Sequence, residues 1–436
     1  MTPFPPHPRT LSPHRWRGGF CLKSVAVLMV LGCTSHGDPN EIRFWAFGRE
    51  GEVVQQLALG FEQEHPGVRV RVQQIPWSAA HEKLLTAIVG RSTPDVAQMG
   101  NTWVPEMVTL GALAPITTPL GDSSYFPGIV ATNVVRDTLF GVPWYVDTRV
   151  LFYRKDILAR AGYDRMPDSW AGWREAMLAI KRTVGKDRYA IFLPTNEWPP
   201  QVILGLQQGS PLIDAAGHGT FAAPAFARAF DFLLSLYHDG LAPPVSNTEI
   251  ANLYQEFGRG YFAMYITGPW NLGEFRRRLP PELQHAWGTA PLPGPTGAES
   301  GVSLAGGSSL VVFRASRHRE LATQLVEYLS RPEQQAAFYR LTGDLPARRE
   351  AWADSSLAAD READAFRIQL LRAVPTPMVP EWEQVTTKIM DHTEAAVRGG
   401  TDAGSALRAL DEDVDRLLER RRYLLSRTLV AGAVER

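Results

Sequence analysis

The segment from Leu139 to Asp156 reads LFGVPWYVDTRVLFYRKD, and it decides how the chain is organised. Gly141 and Pro143 break an apolar strand, because glycine weakens a strand and proline lacks the N–H that strand pairing needs. A second apolar strand resumes from Val150 to Tyr153. A strand that breaks and resumes in this way is typical of a chain crossing between two lobes, so the sequence predicts a two-lobed molecule.

Strands and helices alternate on both sides of this crossing. Ile42 to Phe47 reads as a short buried strand, apolar residues then recur at helical spacing from Val53 to Phe61, and Val68 to Gln73 alternate between apolar and polar. Thr93 to Met99 reads as a further strand that ends at Gly100 to Trp103. This order predicts an α/β fold with a parallel sheet, whose ligands gather where the strands end.

The second half of the chain continues the pattern. Helices are predicted at Trp170 to Arg182 and at Phe226 to His238, with a buried strand at Tyr261 to Ile266. A second crossing is predicted near Ser303 to Ser308, and helices dominate from Arg317 onward. Two segments that cross between the lobes are therefore predicted, one within 139–156 and one near 303–308.

Size and charge narrow the possible functions. The chain has 436 residues, of which 44% are hydrophobic, and this is enough for two or three folding units. The 45 Lys and Arg residues are balanced by 46 Asp and Glu residues, for a formal net charge of −1. No nucleic-acid partner is expected at this charge balance.

Residues 1–32 are expected to be a lipoprotein signal peptide. They contain no acidic residue and four basic ones, which are Arg9, Arg15, Arg17 and Lys23. The apolar segment Ser24 to Gly32 is about half of the roughly 20 residues that a spanning helix needs. A basic stretch followed by a short apolar one is typical of a cleaved leader rather than an anchor helix.

The end of this leader, Val30 to Cys33, resembles a bacterial lipobox. The resemblance implies that a signal peptidase cuts before Cys33 and that its sulfur receives a diacylglycerol, which leaves residues 33–40 as a tether. Cys21 would be lost with the leader, so no disulfide is expected. The alternative is an ordinary cysteine in a hydrophobic leader.

Six pieces of sequence, the lipobox among them, occur in the order of one known family. The other five are FEQEHPGVRVRVQQIPW (61–77), TPDVAQMGNTW (93–103) with GALAPI (111–116), GVPWYVDTRVLFYRKDIL (141–158), FGRGYFAMYITGPW (257–270) and RPEQQAAF (331–338). Together they resemble the extracellular solute-binding proteins of ABC importers (family 1), in the branch that takes up maltose, trehalose and related oligosaccharides. The resemblance covers nearly the whole chain.

This resemblance implies the periplasmic binding-protein fold, in which two hinge-connected α/β lobes enclose a ligand cleft. We expect one lobe at residues 41–145 and about 306–345, and the other at 146–305 and about 346–436. A lipid-anchored periplasmic monomer is implied. Its partners would be a small-molecule sugar, the permease subunits of the transporter and, through the lipid, a bacterial membrane. No cofactor, metal or catalytic residue is implied.

The expected ligand is an α-linked gluco-disaccharide such as trehalose or maltose, bound without covalent change. A pyranose has apolar faces that stack on aromatic rings and a rim of hydroxyls that pair with fixed polar groups. The chain has 12 Trp and 12 Tyr residues, so it can supply such stacking planes.

Three residues in or after predicted strands are the first candidates for sugar contacts. Tyr145 and Asp147 lie two apart in an extended segment and so share one side of it, and the resemblance implies that this Tyr-x-Asp contacts sugar. Trp270, which follows Gly268-Pro269, resembles the stacking tryptophan of the family. The alternatives are a core tyrosine, a turn-capping aspartate and a core tryptophan.

Two loop segments add candidates through the same resemblance. Arg348 matches a Pro-x-Arg of the family whose arginine binds sugar hydroxyls, although Arg349 is an equally charged neighbour. Gly307 matches a glycine that lets the ligand approach the backbone. Ser308 stands where the family has an aromatic residue, so one stacking plane is missing. Three tryptophans could replace it, namely Trp45, Trp103 and Trp144.

Two further candidates belong to the first lobe. Asn101 lies where related proteins often carry an acidic residue, and its amide can both donate to and accept from a hydroxyl. Glu50 lies at a predicted helix start, which favours its negative charge, and it could accept from a sugar hydroxyl. The alternatives are turn stabilisation for Asn101 and a helix-end carboxylate with no other role for Glu50.

Two other functions stay open at this stage. Gly306 to Ser309 with Arg348 could hold glycerol 3-phosphate or another anionic solute, and two basic groups converging in the cleft would favour that ligand. A secreted glycosidase would need two carboxylates about 5 to 9.5 Å apart, for which Asp147 and Glu50 are the candidates. The chain has no Gly-x-Ser-x-Gly, His-Glu-x-x-His or Walker motif, so a binding protein is expected.

Overall fold

The computed structural model of the protein describes residues 40–118, 120–121 and 124–424. The predicted signal peptide, the predicted lipidation site Cys33 and all of the predicted tether except Asn40 therefore lie outside the described residues. Among those that are described, no helix is long and apolar enough to cross a membrane.

Strands and helices alternate through the described chain. The strands are β1 (Glu41–Phe47), β2 (Arg69–Ile75), β3 (Val96–Gly100), β4 (Val134–Val135), β5 (Thr138–Leu139), β6 (Val142–Asp147), β7 (Val150–Arg154), β8 (Tyr189–Phe192), β9 (Phe262–Thr267), β10 (Trp287–Ala290), β11 (Ser303–Leu304), β12 (Gly306–Val312), β13 (Leu345–Pro346) and β14 (Ala373–Val374). The helices are α1 (Gly48–Glu64), α2 (Trp77–Val89), α3 (Val104–Thr109), α4 (Pro127–Ala131), α5 (Lys155–Arg160), α6 (Trp170–Val184), α7 (Pro199–Gln207), α8 (Pro224–His238), α9 (Leu253–Arg259), α10 (Trp270–Arg278), α11 (Arg319–Leu329), α12 (Pro332–Thr342), α13 (Ser355–Ala358), α14 (Arg361–Leu370), α15 (Trp382–Val397) and α16 (Ala403–Leu417).

The first sheet has six strands in the order β13-β6-β12-β3-β1-β2. β1 is parallel to β2 and β3, whereas β12 is antiparallel to both β3 and β6. The expectation of a parallel sheet is therefore wrong for part of it. The physical reason is the second crossing, because β12 enters the first sheet at the same strand end at which β6 leaves it. Gly306 therefore pairs with Asp147, and the two strands run in opposite directions.

The second sheet has four strands in the order β10-β7-β9-β8. The chain passes from the first sheet to the second between Asp147 and Val150. It returns to the first sheet at Gly306, after β10 of the second sheet has ended at Ala290 and after β11, which pairs with β14 in a separate two-stranded sheet. Two sheets with their own helices and paired crossing segments give the predicted two-lobed α/β architecture.

Pro143 does not break a strand, because it lies inside β6. The facing strand β12 shifts register between Ser308 and Ser309, and Pro143 is paired with Ser309 across this irregularity. A bulge of this kind lets a strand accept a residue that has no N–H to donate. The Pro143 carbonyl is used as well, since Gln335 Nε2 donates to it at 3.1 Å.

The first helix forms as its spacing predicts. The apolar positions of α1 that recur at helical spacing, among them Val54 and Phe61, are buried against the first sheet, and the helix ends at Glu64, before Pro66. The start of α1 lies at the carboxyl end of β1, beside the carboxyl ends of β3 and β6. Three strand ends therefore present their last residues at one edge of the sheet, where ligands of such folds bind.

Candidate functional site

A cleft of about 680 Å³ lies between the two sheets. From β1–α1, α2, β3, β6 and the chain around them come Arg49, Glu50, Trp77, Gly100, Asn101, Thr102, Trp103, Tyr145, Asp147, Gly306, Gly307, Thr342, Gly343 and Asp344. The residues from the two crossings and the second sheet's side are Arg149, Trp198, Pro269, Trp270, Gly273, Glu274, Arg277, Leu304, Ala305 and Thr376. Seven of the eight predicted ligand-binding residues line this cleft, and Arg348 does not.

Glu50 and Tyr145 meet on the first side of the cleft. The Tyr145 hydroxyl donates to Glu50 Oε1 at 2.8 Å, and Gln98 Nε2 donates to the same hydroxyl at 3.0 Å. Burial, and next the charge of Glu50, raise the pKa of the Tyr145 phenol well above its usual range. The phenol therefore keeps its proton and fixes the Glu50 carboxylate at the helix start.

Asp147 ends β6 and has an unused acceptor. Its Oδ1 is buried and has no hydrogen-bond partner among the described residues, while Oδ2 lies 3.6 Å from Arg149 Nη2. Burial raises the pKa of the Asp147 carboxyl, and the Arg149 charge opposes this rise. A buried acceptor without a partner calls for one, and a hydroxyl of a bound ligand would supply it.

Trp270 is not a core tryptophan, since 45% of it is exposed. It begins α10, and its indole folds back over Gly268, where a Cβ would come within 2.0 Å of the ring. The Arg149 guanidinium lies 4.4 Å from the indole centroid. The glycine thus permits the ring to lie flat at the cleft, where it can act as a stacking plane.

A second aromatic group lines the cleft. Trp103, one of three tryptophans proposed to replace the missing aromatic residue at Ser308, packs edge-on against Trp77 with centroids 5.7 Å apart. The other two do not line the cleft. Trp144 is fully buried and stacks on Phe338, and Trp45 lies beneath Lys83.

Trp77 and Trp198 line the cleft but were not predicted. The signal for Trp77 was present in the sequence, since it follows Ile75-Pro76 at the end of a predicted strand. Helix α2 begins at Trp77, which carries the indole to the cleft edge. Its Nε1 donates to Glu50 Oε1 at 3.3 Å.

Gly307 and Asn101 line the cleft, and each also has a structural role in the first sheet. Gly307 has φ +123°, and a Cβ there would lie 2.2 Å from the Tyr145 carbonyl oxygen, so the strand pairing itself requires glycine. Asn101 is buried; its Nδ2 donates to Thr132 Oγ1 at 2.7 Å and its Oδ1 accepts from Ser309 Oγ at 3.1 Å. Both amide atoms of Asn101 therefore already serve the fold, through contacts distant in sequence rather than within its own turn.

Arg348 is away from the cleft, and this corrects its predicted placement. Its backbone N–H donates to Gln335 Oε1 at 2.7 Å and its guanidinium lies over the Tyr125 ring. The reason is the direction of β13, which pairs antiparallel with β6 so that Leu345 is its end nearest the cleft. Each later residue lies farther away by about 3.3 Å, and Arg349 does not line the cleft either.

The same strand direction brings Asp344 to the cleft, although the sequence did not single it out. Burial, and next the charge of Glu50, raise the pKa of the Asp344 carboxyl to about 7; Asp147 adds to the rise, and Thr342 and Arg49 oppose it. Three carboxyl groups thus share one wall of the cleft.

Asp344→Asn is expected to raise the free energy of unfolding more at pH 8 than at pH 4.5. The folded chain holds the Asp344 proton up to about pH 7, whereas an unfolded aspartate loses it near pH 4. The folded state binds more protons between these values, so the wild-type side chain lowers stability as the pH rises through them. The gain at pH 8 should exceed that at pH 4.5 by on the order of 2 to 4 kcal/mol, measured by urea unfolding.

Asp364→Asn is the matched control, because the Asp364 side chain is 52% exposed and pairs only at the surface with Arg367. We expect this variant to change stability by less than about 0.5 kcal/mol at either pH. An equal gain for Asp344→Asn at the two pH values would contradict the raised pKa.

The charges of the cleft are close to balanced. Its acidic side chains are Glu50, Asp147, Glu274 and Asp344, and its basic ones are Arg49, Arg149 and Arg277. Arg277 forms an ion pair with Glu274 on the same helix, and Arg149 lies beside Asp147. The described residues hold no cluster of three or more side chains suited to a metal ion.

The family model for bacterial extracellular solute-binding proteins matches residues 48–336. The chain belongs to this family. The resemblance that the six sequence pieces indicate is thereby confirmed, as is the expectation of a transport-associated binding protein rather than an enzyme.

Individual members of the family extend the likeness over nearly the whole described chain. The sugar-binding protein MalE from Xanthomonas citri is 48% identical, with a TM-score of 0.85 over 88% of this chain and 99% of that one. The GacH receptor of Streptomyces glaucescens, solved unliganded and with acarbose, is 25% identical, with a TM-score of 0.73 over 87% of this chain and 98% of that one. The diacetylchitobiose-binding protein DasA of Streptomyces coelicolor is 25% identical over 373 residues, 83% of this chain and 86% of its own length. The two-lobed fold of extracellular solute-binding proteins is thus confirmed.

Proposed function

We propose that this solute-binding protein holds an α-linked gluco-disaccharide such as trehalose or maltose in its cleft and presents it unaltered to the permease of an ABC importer. The observation that carries the proposal is the pairing, in one cleft, of the exposed Trp270 indole with the unused Asp147 acceptor. One supplies a stacking plane and the other a hydroxyl partner, which are the two needs of a pyranose.

The coarser part of this function follows from the family and its relatives: the chain is the sugar-binding component of an ABC importer for oligosaccharides. The choice of an α-gluco-disaccharide is the finer step. It is supported by the sugar-binding MalE at 48% identity and by a cleft volume of about 680 Å³, within the range of small-molecule sites.

The charges of the cleft favour a neutral ligand over glycerol 3-phosphate. Arg149 and Arg277 both line the cleft, but each lies beside a carboxylate, so neither leaves an uncompensated positive charge. The anion site considered for Gly306 to Ser309 with Arg348 is also incomplete. The Ser308 hydroxyl accepts from Gln98, the Ser309 hydroxyl donates to Asn101, and neither serine lines the cleft. A phosphate near the Asp147 carboxylate would meet like-charge repulsion.

The mechanism requires two arrangements of the lobes. A sugar that touches both sides of the cleft binds the closed arrangement better than the open one, and it shifts the population toward closure. The permease would then recognise the closed shape. We propose that the two crossing segments form the hinge and that the lobes have the boundaries predicted from the sequence. The proposal also includes a lipid anchor on Cys33 and a monomeric protein.

A titration tests the ligand class. We expect calorimetry to show saturable binding, about micromolar in Kd, for trehalose or maltose, no heat for glycerol 3-phosphate, and weaker binding of sucrose. NMR of the recovered sugar should show no bond cleavage. Binding of glycerol 3-phosphate with no response to any disaccharide would contradict the proposal.

A further inference from the structure

Arg149 occupies an unusual place for a charged side chain. It lies between β6 and β7, in the first crossing, and its side chain is 17% exposed. Its backbone is held by the second crossing, because its N–H donates to Ser303 Oγ at 3.2 Å and its carbonyl accepts from the same hydroxyl at 2.9 Å. A largely buried cation fixed in this way needs partners that offset its desolvation.

Its partners are two groups that the proposed function assigns to sugar. The guanidinium lies 3.6 Å from Asp147 Oδ2 and 4.4 Å from the Trp270 indole centroid. Asp147 ends β6 and Trp270 begins α10, so the two groups belong to different elements. One planar cation that touches both can fix their relative positions without a direct contact between them. Arginine suits this task, because its flat guanidinium can stack on an indole while its charge attracts a carboxylate.

We infer that Arg149 is a positioning residue, which orients the Asp147 carboxylate and the Trp270 indole toward one bound pyranose. The inference rests on the proposed function, since it assigns no ligand of its own. Arg149 acts here through its two neighbours, by its charge on Asp147 and by its plane on Trp270. Removing the side chain should therefore alter two separable properties of sugar binding.

The first property is the pH dependence. Burial raises the pKa of Asp147 and Arg149 opposes it, so without the cation the carboxylate should take up its proton at a higher pH. If the ionised carboxylate accepts from the sugar, affinity is lost as the pH falls through this pKa, and the loss should begin at a higher pH without Arg149.

Other charged and titratable groups face this pair and stay in place in the variants. Asp344 interacts electrostatically with Asp147, and Glu50 lines the same wall of the cleft. On the second side the Tyr265 phenol feels the Arg149 charge and donates to Glu197 Oε1 at 3.1 Å. These groups contribute equally to the pH dependence of affinity in every variant. A difference in pH dependence between variants therefore measures the effect of the Arg149 side chain.

The experiment compares wild type, Arg149→Met and Arg149→Lys by calorimetric titration with trehalose and maltose from pH 4.5 to pH 8. We expect Arg149→Met to weaken binding about tenfold or more at pH 7 and to move the acid loss of affinity to higher pH. Arg149→Lys keeps the positive charge but lacks the flat guanidinium group. The pH at which affinity is lost on acidification should therefore return toward the wild-type value, while affinity at pH 7 stays reduced.

Arg331→Met is the matched control. Arg331 also lies over an aromatic ring, Tyr328, and pairs with a carboxylate, Glu64, but it does not line the cleft. We expect its affinity and pH profile to equal those of wild type.

Three outcomes would overturn the inference. The first is an Arg149→Met variant with wild-type affinity and pH profile, and the second is a loss that is the same at every pH and is not relieved by lysine. If Arg149→Met does not fold, a lysine variant with the wild-type affinity at pH 7 overturns the stacking role. Absence of sugar binding by the wild-type chain would instead refute the proposed function, and the inference with it.

Discussion

Asp147→Asn is expected to weaken disaccharide binding roughly 5- to 13-fold while leaving the unfolding transition cooperative. A hydrogen bond to a charged acceptor contributes about 1.5 to 3 kcal/mol and one to a neutral acceptor about 0.5 to 1.5 kcal/mol, and the difference of about 1 to 1.5 kcal/mol sets this loss. Asparagine keeps the shape of the side chain but removes the charge. Calorimetric titration at pH 7 with the sugar that the wild-type chain binds measures the loss.

The free energy of unfolding distinguishes a sugar-binding role of Asp147 from the role of a turn-capping aspartate. Burial raises the pKa of Asp147, so the ionised carboxylate is not stabilised by its surroundings and its neutral replacement should not lower the free energy of unfolding. Asp391→Asn, at an exposed position on α15, is the control that should change neither property. A loss of stability of several kcal/mol with unchanged affinity would restore the capping interpretation.

Much of the cleft could be predicted because strand ends carry positional information. β1, β3 and β6 run in the same direction, so their carboxyl ends share one edge of the sheet. Glu50, Asn101 and Asp147 each end or follow one of these strands, and recognising the strands was sufficient to bring them together. The first crossing could be predicted as a region, because the polar residues after Val146 interrupt the apolar strands β6 and β7, although the break expected at Gly141 and Pro143 lies before the change of sheet.

Arg348 shows where this kind of reasoning fails. Its motif gives the residue type, but its position depends on whether the two-residue strand β13 runs with or against β6, and no side-chain pattern in so short a strand encodes that direction. Because β13 runs against β6, Asp344 before it reaches the cleft and Arg348 after it does not. Pairing partners distant in sequence settle such a choice.

The tryptophans show a second limit. Trp144 and Tyr145 are neighbours in β6, but Trp144 lies at the register shift opposite Ser308 and Ser309, and both rings contact Phe338. Simple alternation along a strand therefore does not separate them, although only Tyr145 lines the cleft. The sequence marks both as aromatic without saying which face is covered. Phe338 of α12 stacks on the fully buried Trp144 with ring centroids 4.3 Å apart, and this packing is a tertiary property.

Trp270→Ala is expected to weaken disaccharide binding at least tenfold with little change in stability. Stacking on an indole contributes about 0.5 to 1.5 kcal/mol beyond the burial of apolar area, and the two together exceed the 1.4 kcal/mol that corresponds to tenfold. Because 45% of the residue is exposed, its loss leaves no closed cavity. Calorimetric titration with chemical unfolding of the same sample measures both.

The same substitution at Trp144 provides the contrast, because that indole is fully buried and does not line the cleft. Trp144→Ala should lower the free energy of unfolding by about 3 to 5 kcal/mol, whereas Trp270→Ala should lower affinity instead. Trp270→Phe should recover part of the binding, since a smaller ring still offers a stacking face. Unchanged affinity in Trp270→Ala would remove this indole from the site, and the plane would then have to come from Trp77, Trp103 or Trp198, the other indoles of the cleft among the described residues.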